Sequence, residues 1–372
     1  MNSVNLFNEF SETTKNEWKD VAVKSLKGGD YERICWYPEK EDFFVEPIYT
    51  AEERSSLKGL LQTVYQQDNA WDNCQHVDVL HFGEANKKAL EALSNGADSV
   101  TFDLSAFVLE DFDLPVLLND ILLQHCKVNF IIKEELMGFL KCYQELVKAR
   151  QVSFDQIRGT VRSLFSDSDE IALGIQTSVF PSLKLNIIGN LDEIKVTKRI
   201  SELIDVLVER INYFTEKGIA VEDIFKHTEY VLDVKNNYFF ELAGLRALRF
   251  LHSKVGEKVG VQHPELLEAR IHTFTSLNQV NEGADLNHNL LSNTTQAMSA
   301  ILGGCTTLSV KPHVWGKQEV TPFSERIARN VSNILKKEAY LDRVEDPAAG
   351  SYYIESLTEK IAKSAWEQFQ VK

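Results

Sequence analysis

Residues 183–234 read LKLNIIGNLDEIKVTKRISELIDVLVERINYFTEKGIAVEDIFKHTEYVLDV. Two short runs of apolar and β-branched residues, LKLNII at Leu183 and EYVLDV at Glu229, bracket a segment with a different period. Within that segment Ile200, Leu203, Ile204, Leu207, Val208, Ile211 and Phe214 keep the i, i+3, i+4, i+7 spacing of one helical face, and Gly218 stops the helix. One face of that helix packs on a sheet and the other is solvated. Strand, amphipathic helix, strand is a βαβ unit, which makes its two strands parallel neighbours in a layered α/β fold.

The same rhythm extends in both directions. Upstream lie CQHVDVL at Cys74, SVTFDL at Ser99, VNFIIK at Val128 and the weaker QVSFD at Gln151; downstream lie RIHTFTS at Arg270 and TTLSV at Thr306. That makes eight candidate strands, most separated by helical patterns, and the expected architecture is an α/β fold of the (β/α)8 TIM barrel type over residues 70–340. Residues 1–69 read as an N-terminal arm whose helix carries Trp18, Val21, Ala22, Val23 and Leu26 before Gly28-Gly29 stops it. Residues 341–372 read as a C-terminal helical extension, starting its helix at a capping box Ser356-Leu357-Thr358-Glu359 and burying Ile361, Ala362, Ala365, Trp366 and Phe369. Thr321-Pro322 marks another helix start, followed by the stripe Ile327, Val331, Ile334 and Leu335. The bulky strand residues Phe102, Phe130, Phe154, Ile187 and Phe274 are expected to supply enough inward side chains to close the barrel axis without a continuous channel.

Composition excludes several functions. The 372 residues are 44% hydrophobic and 26% charged, which is globular, and 55 acidic against 40 basic residues leave a net charge of −15. No basic stripe exists to neutralise a phosphate backbone, so nucleic acid is not an expected partner. No apolar run approaches the ~20 residues of a membrane span, the first fifteen residues lack the pattern of a signal peptide, and a cytoplasmic location is expected. Cys35, Cys74, Cys126, Cys142 and Cys305 are dispersed, without zinc spacing, and are expected to be free thiols.

Phosphate-loop and dinucleotide fingerprints are absent, and the nine histidines show no metal spacing; no metal site is expected. Two residues stand where barrel enzymes place chemistry, at the C-terminal ends of strands. His272 in RIHTFTS has no neighbouring carboxylate in sequence to orient its ring. Asp103 at the end of SVTFDL reads equally as an acid or as a loop cap. Periodicity thus gives a barrel and a face, without a reaction.

LGGCTTLSVKP from Leu302, TPFSERIARNVSNILKKE from Thr321 and DRVEDPAAGSYYIESLTEKIAKSAWEQF from Asp342 strongly resemble the substrate-binding barrel of the methylmalonyl-CoA mutase family. RIHTFTS at Arg270, YFFELAGLRALRFL at Tyr238 and VEPIYTAEE at Val45 add to the resemblance, which runs from Trp36 to Phe369 and is thin between Leu104 and Pro181. In that family the barrel binds an acyl-CoA along its axis, and a separate C-terminal domain holds adenosylcobalamin over the barrel mouth for a radical rearrangement of the carbon skeleton.

Carried over position by position, the resemblance implies a degenerate site. In Trp71-Asp72-Asn73-Cys74-Gln75-His76, Cys74 replaces the arginine of the family's Trp-x-x-Arg-Gln run and His76 stands at the tyrosine beside the corrin. Asn190 stands at the histidine that contacts the thioester carbonyl, Lys311 and Trp315 at the asparagine and glutamate that hold the adenosyl ribose, and Phe274 at the glutamine of the His-Cys-Gln-Thr-Ser run. No counterpart of the carboxylate-binding arginine is found, and no histidine has the aspartate two positions before it that the cobalt-ligating D-x-H-x-x-G motif requires.

The resemblance therefore implies a small, noncatalytic (beta) subunit with no catalytic, cofactor-binding or metal residues of its own. Its partner would be a catalytic large chain carrying the adenosylcobalamin, with a homodimer as the form in isolation. Two alternatives stand beside it: a catalytic acyl-CoA mutase barrel working with a separate cobalamin-binding chain, and a barrel repurposed for another CoA-thioester reaction. The stop at Lys372, where the family continues into a cobalamin-like domain, reads as a truncated or short form.

Overall fold

The computed structural model describes residues 11, 13–27, 29–38, 41, 43–52, 69–189, 195–276, 286–315 and 318–371. Nine parallel strands form one sheet: β1 (Asp72–Asp78), β2 (Ser99–Asp103), β3 (Lys127–Ile132), β4 (Arg158–Ser163), β5 (Ser182–Lys184), β6 (Asn186–Ile188), β7 (Thr228–Val234), β8 (Ile271–Thr275) and β9 (Thr307–Ser309). Their order is β5-β4-β3-β2-β1-β9-β8-β7-β6, so the two ends of the sheet meet in consecutive chain on either side of Leu185. β5 pairs only backwards, with β4, and β6 only forwards, with β7. LKLNII therefore fills one barrel position in two pieces, and the (β/α)8 architecture expected from the sequence is the one observed.

The register explains the break. Lys184 aligns with Thr160, and Ile187 aligns with Glu229, both inward positions. Strict alternation from Lys184 would point Asn186 inward, yet its side chain bonds Thr228 and Arg210 on the helix side. One extra residue at Leu185 flips the face, which is what a β-bulge does at a barrel seam.

QVSFD at Gln151 is not a strand. Phe154 lies in a short 3-10 turn, Phe154–Gln156, and its ring packs edge-on against Phe180 at 5.3 Å. The strand at this position is RGTVRS, whose Gly159 has φ +144° and approaches β3 so closely that a Cβ would lie 2.0 Å from the Val128 carbonyl oxygen. Only glycine fits there. Of the bulky strand residues, Phe102 and Phe130 face the helix layer, Phe130 lying 4.9 Å from Phe139 and 5.2 Å from Tyr143, while Ile187 and Phe274 lie on the inner face. Below the mouth the interior also carries polar side chains. Cys74, Thr101 and Asn129 contact one another, and the Thr160 hydroxyl donates to Glu229 at 2.6 Å.

Thr321 caps the helix Pro322–Lys337 with a reciprocal bond to Ser324, as its sequence indicates. The last helix begins earlier than its apparent capping box. It spans Tyr352–Gln370, with the Ser351 hydroxyl accepting from Ile354, and Ser356 is buried within it. This helix packs on Val196–Glu216 and Tyr238–Val259 and is pinned by Arg246, fully buried, whose guanidinium reaches Asp346 at 2.7 Å, Glu355 at 2.9 Å and Thr358 at 3.0 Å.

The arm divides in two. Its later part lies on the barrel: Trp36 meets Phe240 edge-on at 5.3 Å and Phe43 stacks on it at 6.0 Å, and the Glu41 carboxylate accepts from Val196 N–H at 2.7 Å and the Thr197 hydroxyl at 2.6 Å, capping the helix that begins there. The earlier helix, Lys15–Ser25, is held by a Thr14–Glu17 capping box but buries none of its residues. Two further aromatic residues of the arm, Phe7 and Phe10, lie outside the described residues. No helix among the described residues is long and apolar enough to cross a membrane.

Candidate functional site

The C-terminal strand ends gather their side chains around a cavity of about 210 Å³ at the barrel mouth, lined by His76, Asp78, Arg162, Asp233, Phe274 and Lys311 with Trp315 beside them. Phe274 is its centre. The ring stacks on His272 at 4.5 Å, meets His76 edge-on at 6.1 Å and lies 5.9 Å under the Lys311 ammonium. His76 turns its other edge to Trp315 at 6.0 Å and hydrogen-bonds Asp78 at 3.1 Å. Lys311 pairs with Asp233 at 3.2 Å.

His272 points into the barrel from β8 and bonds the Ser309 hydroxyl at 2.9 Å. Burial, followed by the nearby His76, Arg162 and Lys127, lowers its pKa to about 3. A general base works best with a pKa near the operating pH, so this neutral ring, without an orienting carboxylate, is a poor one. Asp103 resolves toward the loop-cap reading: one of its oxygens accepts from the Ser105 N–H at 2.9 Å and hydroxyl at 2.6 Å. Cys74 lies below the cavity, 3.2 Å from the Thr101 hydroxyl, and burial raises its pKa, so it is a thiol and not a nucleophilic thiolate.

Charge at the mouth is compensated internally. Burial raises the Asp233 pKa against the opposing pull of Lys311, and burial lowers that of Arg162 against Asp103 and Asp233. Among the described residues one cluster, His76, Asp78 and Asp103, brings its ligand-type atoms within 4.8 Å of one another. Both carboxylates in it are already committed, to His76 and Ser105.

The positions carried over from the family are largely brought together: His76, Phe274, Lys311 and Trp315 face one cavity, with Cys74 a layer beneath. Asn190 lies outside the described residues. Arg162 and Asp233 are part of the same mouth and escaped the sequence reading. Asp233 ends the run EYVLDV as visibly as Asp103 ends SVTFDL, whereas Arg162 was hidden by placing the fourth strand too early. A pantetheine chain and an adenosyl ribose do not fit what is present. The cavity is smaller than the ~300 Å³ lower end for ligand pockets, and Lys311 and Trp315 are engaged by Asp233 and His76.

Fold and site define an enzyme-type (β/α)8 barrel whose mouth is filled by its own compensated charges. Residues 201–371 match the family model for methylmalonyl-CoA mutase, and the resemblance seen in the sequence is borne out. The chain is 30% identical to the methylmalonyl-CoA mutase small subunit of Porphyromonas gingivalis, over 98% of this chain and 63% of that protein. It is 26% identical to the small subunit of Streptomyces virginiae, over 97% and 64%, and 27% identical to the methylmalonyl-CoA mutase of Rhizobium meliloti, over 96% and 57%. The chain thus spans 57–64% of the length of these relatives.

Proposed function

We propose that this chain is a noncatalytic barrel subunit of an adenosylcobalamin-dependent methylmalonyl-CoA mutase, pairing with a catalytic large chain that carries the cofactor. The observation that carries the reading is the Lys311–Asp233 ion pair at the mouth. A site for radical chemistry excludes water and reserves its polar groups for substrate and cofactor, whereas here they are spent on each other. The names of the relatives from Porphyromonas gingivalis and Streptomyces virginiae support the small-subunit assignment. Location in the cytoplasm and the division of the chain at residues 69 and 340 belong to the same proposal.

The helix Lys15–Ser25 is the contact this reading assigns to the partner. An 11-residue helix with no fully buried residue is marginal alone, and Trp18, half-buried, is its largest apolar side chain. Trp18→Ala is expected to weaken association with the large chain by at least about tenfold while leaving the melting temperature of the isolated chain unchanged. Co-expression with a large chain, size-exclusion and titration of the purified partners measure both quantities. Failure of the wild-type chain to form a heteromer would overturn the reading; a variant with lower melting temperature and unchanged affinity would return the helix to the barrel's own fold.

A further inference from the structure

Three charged side chains at the mouth come from separate strands and loops: Arg162 from β4, Asp233 from β7, and Lys311 just after β9. Asp233 is nearly buried, pairs directly with Lys311, and is close enough to Arg162 to stabilise its charge. Of the other carboxylates, Asp78 bonds His76 and Glu325 lies 3.6 Å from Lys88, while Asp103, outside the cavity lining and bonded to Ser105, also supports the charge of Arg162 from β2 and leaves Lys311 to Asp233. Take Asp233 away, and two cations from different sides of the barrel, Arg162 and Lys311, face one cavity beside the Phe274 ring. Two convergent cations beside an aromatic wall, in a cavity at the barrel mouth, are a binding site for a small carboxylate or phosphate.

We propose that Asp233 is an internal counter-anion that occupies this site and bars anionic ligands from the barrel mouth. The carboxylate does from within what a bound anion would do from solution, and it is present at a fixed position at no entropic cost of association. This goes beyond the noncatalytic reading by naming the residue that excludes anions. It does not depend on pairing with a large chain.

The test uses the isolated full chain at pH 7.5 and constant ionic strength, titrated calorimetrically with malonate and, separately, with inorganic phosphate. Asp233→Asn keeps size and hydrogen-bonding capacity while removing the charge, and circular dichroism checks its fold. The wild-type chain is expected to show no saturable binding up to ~10 mM, and Asp233→Asn to bind at least one of the two anions at least about tenfold more tightly. Adding Arg162→Gln to Asp233→Asn is expected to abolish the gain. Wild-type binding as tight as the variant's, no gain in the folded variant, or a gain that survives loss of Arg162 would each overturn the proposal. A chain that gains anion binding without forming a heteromer would sink the subunit assignment and leave this inference standing.

Discussion

Arg246→Ala is expected to lower the unfolding free energy by about 3–5 kcal/mol, the largest single-residue effect in this chain. The guanidinium is 0% exposed and Glu355 2%, and the arginine also holds Asp346 and Thr358. Truncation leaves a carboxylate buried without its cation, which costs far more than the pair contributes by forming. Urea unfolding followed by far-UV circular dichroism measures the loss; a change below about 1 kcal/mol would contradict the assignment. The consequence reaches the family resemblance. Glu241 and Arg246 come from YFFELAGLRALRFL, and Asp346 and Glu355 from DRVEDPAAGSYYIES. Glu241 pairs with buried Arg199 at 2.5 Å, and Arg199 also donates to the carbonyl of Asp233. The motifs that resemble the family most strongly therefore clamp the outer helices together.

The second large effect is acid lability. His227 and His252 have pKa values lowered from 6.5 to about 4 and His272 to about 3, in each case chiefly by burial. The His252 ring is buried with Nδ1 facing the Tyr230 hydroxyl at 3.0 Å and Nε2 the Leu266 carbonyl at 3.2 Å. Between pH 6.5 and about 4 the unfolded chain binds protons at these sites that the folded chain does not. Stability is fully present above pH 6.5 and falls on acidification, by on the order of 3 kcal/mol per histidine at the lower end of the window. Glu229 and Asp233, raised by burial, act in the opposite direction and offset part of the loss. The urea midpoint is expected to drop between pH 7.5 and 5.0; equal midpoints would contradict the burial of the three rings.

Much of the barrel was legible because the helix layer is apolar. The stripe from Ile200 to Phe214 is buried along nearly its whole length, and the strands ending at Asp103 and Val234 carry apolar residues on their outer faces. β4 was misplaced for a physical reason. Its inward positions are Arg158, Thr160 and Arg162, its outward ones Gly159 and Val161, so RGTVRS lacks the apolar density that marked the other runs. QVSFD nearby had that density without the pairing. Alternation divides the bulky residues as well: Phe102 and Phe130 belong to the outer layer, Phe154 to a turn, and Ile187 and Phe274 to the inner face. At the mouth, strand ends gave His272 and Asp103, and resemblance gave His76, Phe274, Lys311 and Trp315. What sequence spacing does not convey is the pairing across the barrel of Asp233 with Lys311, residues 78 positions apart.

The central claim is that this chain takes part in a mutase without performing its chemistry. Turnover of methylmalonyl-CoA should be measured with added adenosylcobalamin for the purified chain alone, for a catalytic large chain alone, and for the two together. The account predicts no turnover by this chain alone and a more active or longer-lived enzyme when both are present. Turnover by this chain in the absence of any second protein would contradict it.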